Sequence, residues 1–254
     1  MKELRQVILS SIINAVIALS IFSAHAVIAC TLLCFGRRCC EKLISMIFLQ
    51  HSKLFAFVHR ITYGTKVIID TPPSLPSPHL ILCNHKGTSD FFLAHLIFRE
   101  RKLRFIAKQE LLKAIPLMGI PAYSIGMRLL GYCFIDRSHS LSSLKAVQKF
   151  IQRHTAQNHD ILLYPEGTRH KAAQTKEFFS SAIKLILRAQ HMPVVLVALG
   201  NGHTIVSFLR RKYATTLRAK VLGVFHVQDS RDIENDVRKF RSAIDAQLDK
   251  WEHE

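Results

Sequence analysis

The sequence predicts an α/β fold in which a central mixed β-sheet is flanked by helices and preceded by an N-terminal two-helix membrane element. After residue 63, short apolar runs alternate with longer amphipathic segments, which is the pattern of layered strands and helices. Hydrophobic residues make up 49% of the 254 residues, so the chain can bury a sizeable core and is not disordered. We expect two units, a membrane element over residues 1–62 and a globular domain over residues 63–254.

The N-terminal prediction rests on the stretch from Val7 to Gly36, which contains no Lys, Arg, Asp or Glu. A bilayer span needs about 20 apolar residues, so this stretch can enter or cross a membrane. Basic residues flank it on both sides, and the positive-inside rule therefore gives no orientation. A second apolar stretch, Leu43–Leu49, completes a two-helix element that either spans once or dips into the cytoplasmic leaflet with both ends inside.

Two processing sites compete with this interpretation. Ser23–Ala26 has the small-x-small pattern of a signal-peptidase site, and Val27–Cys30 is similar to a lipoprotein processing site. The apolar run nevertheless continues to Gly36 and meets a basic segment, as an anchor does. The six cysteines show neither zinc-site spacing nor a disulfide framework, which favours reduced thiols in a protein that faces the cytoplasm.

The elements of the globular domain can be assigned individually around a proline-rich connector, Ile69–Leu80. The predicted strands are Lys66–Asp70, Leu80–Cys83, Leu103–Ala107, Tyr132–Ile135, Asp160–Tyr164, Pro193–Leu199 and Leu217–Phe225. The predicted helices are Ser89–Phe98, Gln109–Leu112, Leu141–His154, Lys176–Gln190 and Asp232–Trp251. Functional residues gather at the carboxyl ends of strands in such sheets, so the residues that directly follow strands are the first candidates.

His85 and Asp90 form the first motif, in the stretch CNHKGTSD. With 14 His and 9 Asp in the chain, one His-x4-Asp match is expected about half the time by chance, so the pair alone is a weak signal. The side chains can meet if His85 lies in a strand-exit loop and Asp90 in the first turn of the next helix. One ring nitrogen then faces the carboxylate and the other is left as a base. A structural histidine is the main alternative, and no further ligands at convincing spacing support a metal site.

The second motif, Tyr164–Arg169 (YPEGTR), closes an apolar strand and opens a polar loop. Gly167 lets backbone N–H groups approach an anion, and Arg169 offers a planar fork for a phosphate. Glu166 can accept a hydrogen bond from a substrate hydroxyl. An ordinary strand-end turn is the alternative, in which proline and glycine have only conformational roles.

Two further segments have simple structural explanations when each is taken alone. Phe134–Arg137 (FIDR) is an apolar strand that ends in a charged pair, and such a surface pair contributes at most about 1 kcal/mol. Lys108–Gly119 (KQELLKAIPLMG) fits an amphipathic helix with proline and glycine at its end.

Together and in this order, the four segments resemble the glycerolipid acyltransferase family typified by 1-acyl-glycerol-3-phosphate acyltransferase. The family pattern is Asn-His-x4-Asp, Lys-x-x-Leu…Pro-x-x-Gly, Ile-Asp-Arg and Pro-Glu-Gly-Thr-Arg, followed by a proline-led apolar strand. It corresponds here to residues 84–90, 108–119, 135–137, 165–169 and 193–195, so the resemblance covers about residues 80–200. The chain departs from the pattern in a longer connection between Gly119 and Asp136. It also has Phe178–Ala182 (FFSSA) where the family often has Phe-Lys-x-Gly-Ala, and Lys176 is the nearest substitute for that lysine.

The resemblance implies that residues 63–254 form an acyltransferase catalytic domain with His85 as the base and Asp90 as its orienting carboxylate. It implies that the glycerol phosphate is bound by Lys108, Arg137, Glu166, Gly167, Thr168 and Arg169. The implied reaction moves an acyl chain from acyl-CoA or acyl carrier protein to the free hydroxyl of 1-acyl-glycerol-3-phosphate and gives phosphatidic acid. No cofactor is implied beyond the acyl donor, which is a substrate. The expected location is a membrane, with the catalytic domain facing the cytoplasm.

The sequence leaves alternatives to this function open. The same chemistry can use glycerol-3-phosphate or another lysophospholipid as acceptor. A non-enzymatic, membrane-anchored basic protein that binds nucleic acid or acidic lipid would explain the formal net charge of +17. It would not explain the ordered motifs, and no zinc finger or basic heptad region indicates nucleic acid. We therefore expect an anionic membrane surface, a lysophospholipid acceptor and an acyl thioester donor as partners, with acyl carrier protein as a further candidate.

Overall fold

Seven β-strands form one sheet in the part of the chain that the computed structural model describes. The strands are β1 (Lys66–Asp70), β2 (Leu80–Cys83), β3 (Leu103–Lys108), β4 (Cys133–Ile135), β5 (Asp160–Leu163), β6 (Val194–Gly200) and β7 (Thr216–Phe225). The structure describes residues 27, 36, 40–61, 64–72, 74–75, 79–87, 89–112, 126–136, 140–170, 174–190, 192–201, 216–227 and 232–254.

Helices connect and cover the strands. The longer ones are α1 (residues 40–61), α2 (Ser89–Ile97), α3 (Ser140–Thr155), α4 (Ser180–Gln190) and α5 (Ile233–Glu252). A 3-10 helix, Gln109–Leu112, follows β3, and a single helical turn at residues 126–129 precedes β4. These elements confirm the predicted α/β fold, with most predicted strand and helix ends correct to one or two residues.

The strand order, β1-β7-β6-β2-β5-β3-β4, brings the ends of five strands together. The neighbours from β6 to β4 pair in parallel, whereas β7 is antiparallel to β6 and parallel to β1, so the sheet is mixed as predicted. Consequently β2, β3, β4, β5 and β6 all finish at the same side of the sheet, which is called the carboxyl end below. Loops at this end are the usual place for a site in such a fold.

Side chains that alternate along each strand build two hydrophobic cores, one on each face of the sheet. Leu80 and Leu82 of β2 belong to the core that α3, α4 and α5 cover. Ile81 and Cys83 belong to the opposite core, which α1 and α2 cover. All four residues of β2 are fully buried, which explains why the strand is a continuous apolar run without a polar face.

Helix α1 packs against the sheet through residues spaced four apart. Cys40, Ile44 and Phe48 are buried in the core that also contains β2 and β3 residues. Among the residues that the structure describes, no helix is long and apolar enough to cross a bilayer. The predicted membrane stretch Val7–Gly36 lies outside the described residues except for its positions 27 and 36, and the predicted boundary at residue 62 stays a prediction.

A buried polar cluster fastens the opposite end of the sheet, where β2, β3 and β5 begin. Asp160 accepts hydrogen bonds from the backbone N–H of His79 at 2.9 Å and from Nε of Arg101 at 2.5 Å. Arg101 also donates to the carbonyl of Leu75 in the proline-rich connector at 2.8 Å. Burial acts to raise the pKa of Asp160, but the hydrogen bonds from His79 and Arg101 outweigh it and lower the pKa. The cluster therefore ties the connector to the sheet through an ionised carboxylate.

We expect Asp160→Asn to destabilise the fold by about 3 kcal/mol, because it leaves a largely buried guanidinium without its anionic partner. Urea unfolding should show a lower midpoint at an unchanged slope. The matched control is Asp236→Asn in the first turn of α5, which removes the pair with the exposed Lys239 (3.5 Å) and a negative charge near the helix start, and should cost less than about 1 kcal/mol. Equal midpoints for the two variants would contradict the structural role of the cluster.

Buried histidines should make the fold sensitive to acid. His95 of α2 lies among the rings of Phe48, Phe91 and Phe105, with centroids 5.4, 4.5 and 5.5 Å away. Burial lowers the pKa of His95 to about 3, although a hydrogen bond to the Phe91 backbone opposes the shift. The unfolded chain binds this proton below about pH 6.5. The stability that neutral His95 contributes is therefore complete above that pH and is lost as the pH falls toward 3.

In His95→Phe, the fall in unfolding free energy between pH 6 and pH 4 should be shallower by about 1.4 kcal/mol per pH unit. The change should be measured by urea unfolding at a series of pH values. His253→Phe, at an exposed position near the carboxyl terminus, is the control and should keep the wild-type slope. Parallel pH slopes for wild type and His95→Phe would contradict this assignment.

Candidate active site

Candidate functional residues converge at the carboxyl end because their strands all finish there. His85 follows β2 by two residues, Lys108 is the last residue of β3, and Glu166 follows β5 by three residues. Asp136 directly follows β4, while the predicted phosphate ligand Arg137 lies outside the described residues. The sheet thus brings at least one described residue of each of the four motifs to one side of the domain.

His85 and Asp90 are in direct contact. Nδ1 of His85 lies 2.8 Å from Oδ2 of Asp90, which sits in the first turn of α2 and is fully buried. The same oxygen accepts hydrogen bonds from the backbone N–H groups of Lys86 (2.6 Å) and Gly87 (2.8 Å). Because a carboxylate accepts, a neutral His85 imidazole in this contact has its hydrogen on Nδ1 and its lone pair on Nε2. His85 lies in the loop after β2 and Asp90 in the first turn of the next helix, as the sequence-based prediction of this contact required.

The His85 ring is held flat against Tyr164. The two rings stack with centroids 4.2 Å apart and planes at 16°. The His85 side chain is 21% exposed, and its Nε2 has no hydrogen-bond partner among the described residues. Burial raises the pKa of Tyr164, and the nearby charge of Asp90 adds to that shift, so the tyrosine is a neutral platform. The site therefore presents one oriented imidazole nitrogen at a partly open position.

The backbone around His85 is fixed from both neighbouring strands. Asn84 donates through Nδ2 to the carbonyl of Leu199 (2.8 Å) and accepts from the N–H of Leu199 (2.7 Å), which ties it to β6. The N–H of His85 donates to Oε1 of Glu166 (2.7 Å) after β5, and the N–H of His170 donates to the carbonyl of His85 (2.8 Å). The histidine loop is thus locked between the β5 and β6 segments.

Glu166 is enclosed rather than open to a ligand. Its residue is fully buried, and its second oxygen, Oε2, accepts from the N–H of Lys176 at 3.0 Å. Burial raises the pKa of Glu166, while the backbone hydrogen bonds from His85 and Lys176 and the charge of Lys86 oppose the shift. Each carboxylate oxygen therefore already accepts a hydrogen bond from a backbone N–H group, so the carboxylate bridges two loops.

The chain turns outward at Gly167. Its N–H donates to the carbonyl of Tyr164 at 3.0 Å, and its φ of 65° lies in the left-handed region that favours glycine. Thr168 and Arg169, which follow the turn, are exposed. Exposed donors of this kind next to an oriented imidazole can receive a phosphate group.

Lys86 is a residue of the site that sequence reasoning missed. It is only 4% exposed, and its Nζ donates to the carbonyl of Gln174 at 3.4 Å. Burial lowers the pKa of Lys86, while the carboxylates of Glu166, Asp245, Glu252 and Asp90 oppose the shift. The position is a variable one within the His-x4-Asp pattern, so no local signal marks it. Asn84 and Tyr164 are the first residues of their motifs, but nothing in the sequence indicates which groups they contact.

A metal centre finds no support within the part of the chain that the structure describes. No group of three or more His, Cys, Asp or Glu side chains is arranged there to hold a metal ion. Backbone N–H groups already occupy Oδ2 of Asp90 and both oxygens of Glu166. The arrangement is suited to general acid–base chemistry on a bound substrate.

Comparisons with known proteins agree on one family. The family model described as Acyltransferase matches residues 66–200, more than half of the chain. A probable 1-acyl-sn-glycerol-3-phosphate acyltransferase of Mycoplasma pneumoniae is 31% identical over 166 residues, which is 61% of this chain and 58% of that protein. The human 1-acyl-sn-glycerol-3-phosphate acyltransferase beta is 31% identical over 137 residues, which is 53% of this chain and 46% of that protein. The matched part of this chain spans about half the length of these relatives.

A solved structure has a similar fold. It is that of the 1-acyl-sn-glycerophosphate (LPA) acyltransferase PlsC from Thermotoga maritima, with a TM-score of 0.72 and 18% sequence identity. The likeness covers 100% of this chain and 99% of that one. The family model includes all strands from β1 to β6 and the segments that carry His85, Asp90 and Glu166. The chain belongs to the acyltransferase family.

Proposed function

We propose that the chain transfers an acyl chain from a thioester to the free hydroxyl of 1-acyl-glycerol-3-phosphate and so forms phosphatidic acid. The observation that carries the proposal is the 2.8 Å contact between His85 Nδ1 and Asp90 Oδ2, which leaves Nε2 as the basic nitrogen of the site. The named relatives act on this class of acceptor according to their descriptions, which supports the same acceptor here.

The proposed reaction uses His85 as a general base. The acceptor hydroxyl is a poor nucleophile, so Nε2 takes its proton as the oxygen attacks the thioester carbonyl. Asp90 keeps the ring in the required tautomer and stabilises the imidazolium that forms. The C–S bond then breaks, and the thiolate leaves and recovers a proton from the imidazolium. A thiol has a pKa near 8.5 and is a good leaving group, so a His–Asp pair needs no serine nucleophile.

The phosphate of the acceptor binds beside the imidazole in this proposal. Arg169 and Thr168 are exposed just beyond the Gly167 turn and supply a guanidinium fork and a hydroxyl. Lys108 ends β3 at the same end of the sheet and adds positive charge, and Arg137 is a further candidate from sequence alone. Glu166 contributes by positioning, since both of its oxygens hold backbone N–H groups.

The remaining parts of the proposal concern the donor and the location. Acyl-CoA or acyl carrier protein enters as a substrate, and no resident cofactor takes part. Acceptor and product are both lipids, so the enzyme works at a membrane surface, with the catalytic domain on the cytoplasmic side where such donors occur. The formal net charge of +17 favours anionic lipid, because each basic residue near such a surface contributes about 1 kcal/mol.

His85→Ala should lower kcat by roughly 10²–10⁴-fold, the usual contribution of a general base. The assay would measure transfer of a labelled acyl chain from the thioester to lysophosphatidate (1-acyl-glycerol-3-phosphate), using purified full-length protein in mixed micelles. The control is His226→Ala at an exposed position, which should keep wild-type turnover. Near-normal kcat in folded His85→Ala would remove the histidine from its assigned role.

Arg169→Ala should raise the KM for lysophosphatidate by roughly 10–100-fold and change the KM for the acyl donor little. A charge-assisted hydrogen bond contributes about 1.5–3 kcal/mol to binding, which corresponds to this range. Arg188→Ala, an exposed arginine of α4, is the matched control. A rise in only the donor KM would assign Arg169 to the thioester side.

A panel of acceptors tests the choice of substrate. Wild-type protein should prefer lysophosphatidate over glycerol-3-phosphate and over lysophospholipids with larger head groups. Arg169→Ala should lower kcat/KM most for acceptors with a terminal phosphate, since these expose the most negative charge. Preference for a different lysophospholipid would keep the acyl transfer and change the acceptor.

A further inference from the structure

The C-terminal helix α5 contacts the segment that is hydrogen-bonded to Glu166, although the helix lies outside residues 66–200, where the family model matches. Its contact there is Thr175, which is 3% exposed. Oδ1 of Asp245 accepts the N–H of Thr175 at 2.7 Å. Arg241 donates through its second terminal nitrogen to the carbonyl of Thr175 at 2.9 Å and through Nε to its hydroxyl at 3.3 Å.

Arg241 and Asp245, one helical turn apart, therefore form hydrogen bonds with every polar group of Thr175. The N–H, the carbonyl and the hydroxyl of Thr175 all meet either Arg241 or Asp245. The two side chains also face each other, with Nε of Arg241 3.6 Å from Oδ2 of Asp245. A pair of opposite charges at i and i+4 on a helix is weakly favourable, which helps to keep both side chains directed at Thr175.

The segment that contains Thr175 is connected to His85 through Glu166. Lys176, next to Thr175, donates its N–H to Oε2 of Glu166 at 3.0 Å. The other oxygen of Glu166 accepts the N–H of His85 at 2.7 Å. A continuous series of hydrogen bonds thus runs from α5 through residues 175 and 176 and the buried carboxylate to the catalytic loop.

A second connection runs beside the first. Nζ of Lys86, the residue after the base, donates to the carbonyl of Gln174 at 3.4 Å. Lys86 is 4% exposed, so the neighbouring carboxylates act on its charge in a medium that screens them weakly. The carboxylate of Asp245 is among them, so one residue of α5 acts on both connections.

We infer that Arg241 and Asp245 of α5 are positioning residues that hold segment 174–176 so that Glu166 can fix the backbone of His85. The inference rests on the proposed acyl transfer for its kinetic part only, because the hydrogen bonds can be tested without substrate. The carboxylate of Asp245 is the acceptor that Thr175 depends on, so Asp245→Ala is the informative change.

Hydrogen exchange tests the connection directly. Two peptides are informative, one that carries Thr175 and Lys176 and one that carries His85, and they are called the site peptides. In full-length Asp245→Ala both site peptides should exchange at least about tenfold faster than in wild type. The peptides of β2 and β6 should keep their protection. Asp236→Ala on the same helix is the control and should leave both site peptides unchanged. Wild-type exchange at both site peptides in Asp245→Ala would overturn the inference.

Kinetics tests the consequence for the base. Asp245→Ala should lower kcat by roughly 10–100-fold with the acceptor KM within about threefold of wild type, because a small displacement of a catalytic group costs this much. Asp245→Asn keeps an amide oxygen for the Thr175 N–H and should stay within about threefold of wild-type kcat. A general loss of stability would not be rescued by this isosteric change.

A double substitution separates positioning from independent damage. Glu166→Gln replaces one of the two oxygens that accept the N–H groups of His85 and Lys176 with a donor, and so breaks the connection at its centre. Adding Asp245→Ala to this variant should therefore lower kcat by much less than tenfold. A fully multiplicative loss in the double variant, or equal kcat in Asp245→Ala and Asp236→Ala, would overturn the inference. A wild-type protein that transfers no acyl chain would instead contradict the proposed function, and hydrogen exchange would still decide the role of Asp245.

Discussion

Two carboxylates that are shut off from water organise the carboxyl end of the sheet. Asp90 and Glu166 are both 0% exposed, and burying a carboxylate is costly unless hydrogen bonds replace its hydration. Backbone N–H groups of loops that leave the strands supply such bonds. Those of residues 86 and 87 donate to Oδ2 of Asp90, and those of residues 85 and 176 donate to the two oxygens of Glu166. The requirement to satisfy these charges therefore fixes the loops, and the fixed loops hold His85 in one orientation.

The parallel part of the sheet makes this arrangement possible. Because β2, β5 and β6 are neighbours, the loops after them lie within reach of one another even though they are far apart in the sequence. Asn84 uses this closeness on the β6 side, and Glu166 uses it on the β5 side. An antiparallel β5 or β6 would place its carboxyl end on the other side of the sheet and would leave the histidine loop without these supports.

The sequence predicted the features that have a local cause. Strands such as β2 and β6 are buried on both faces and therefore appear as continuous apolar runs, which explains why the limits of β2 were predicted correctly and those of β6 to within one residue. The positions of His85 and Asp90 could be predicted because a strand end, a glycine and a helix start determine them within six residues. The roles of Lys86, Arg241 and Asp245 depend on contacts between segments up to 88 residues apart, for which no local pattern exists.

Hydropathy alone could not assign the surface that α1 covers. Residues spaced four apart, such as Ile44 and Phe48, suit a membrane-facing stripe as well as a core-facing one, and in the structure they pack against the sheet. Glu41 of the same helix lies 3.6 Å from the guanidinium of Arg104 in β3, which is 2% exposed. This ion pair adds a specific contact to the apolar packing, and it could not be foreseen from an apolar period. Met46 and Phe57 remain exposed on α1, so the helix has apolar residues on more than one side.

The Pro-Glu-Gly-Thr-Arg motif shows how one short segment can serve two purposes. Glu166 points into the protein and is bound by backbone N–H groups, whereas Thr168 and Arg169 are exposed. Gly167 separates the two halves with a left-handed backbone that redirects the chain between one residue and the next. The sequence-based hypothesis treated the four residues as one binding unit, since a pattern of letters does not show where a chain reverses. In the structure the buried half fixes the backbone of His85, whereas the other half lies at the surface.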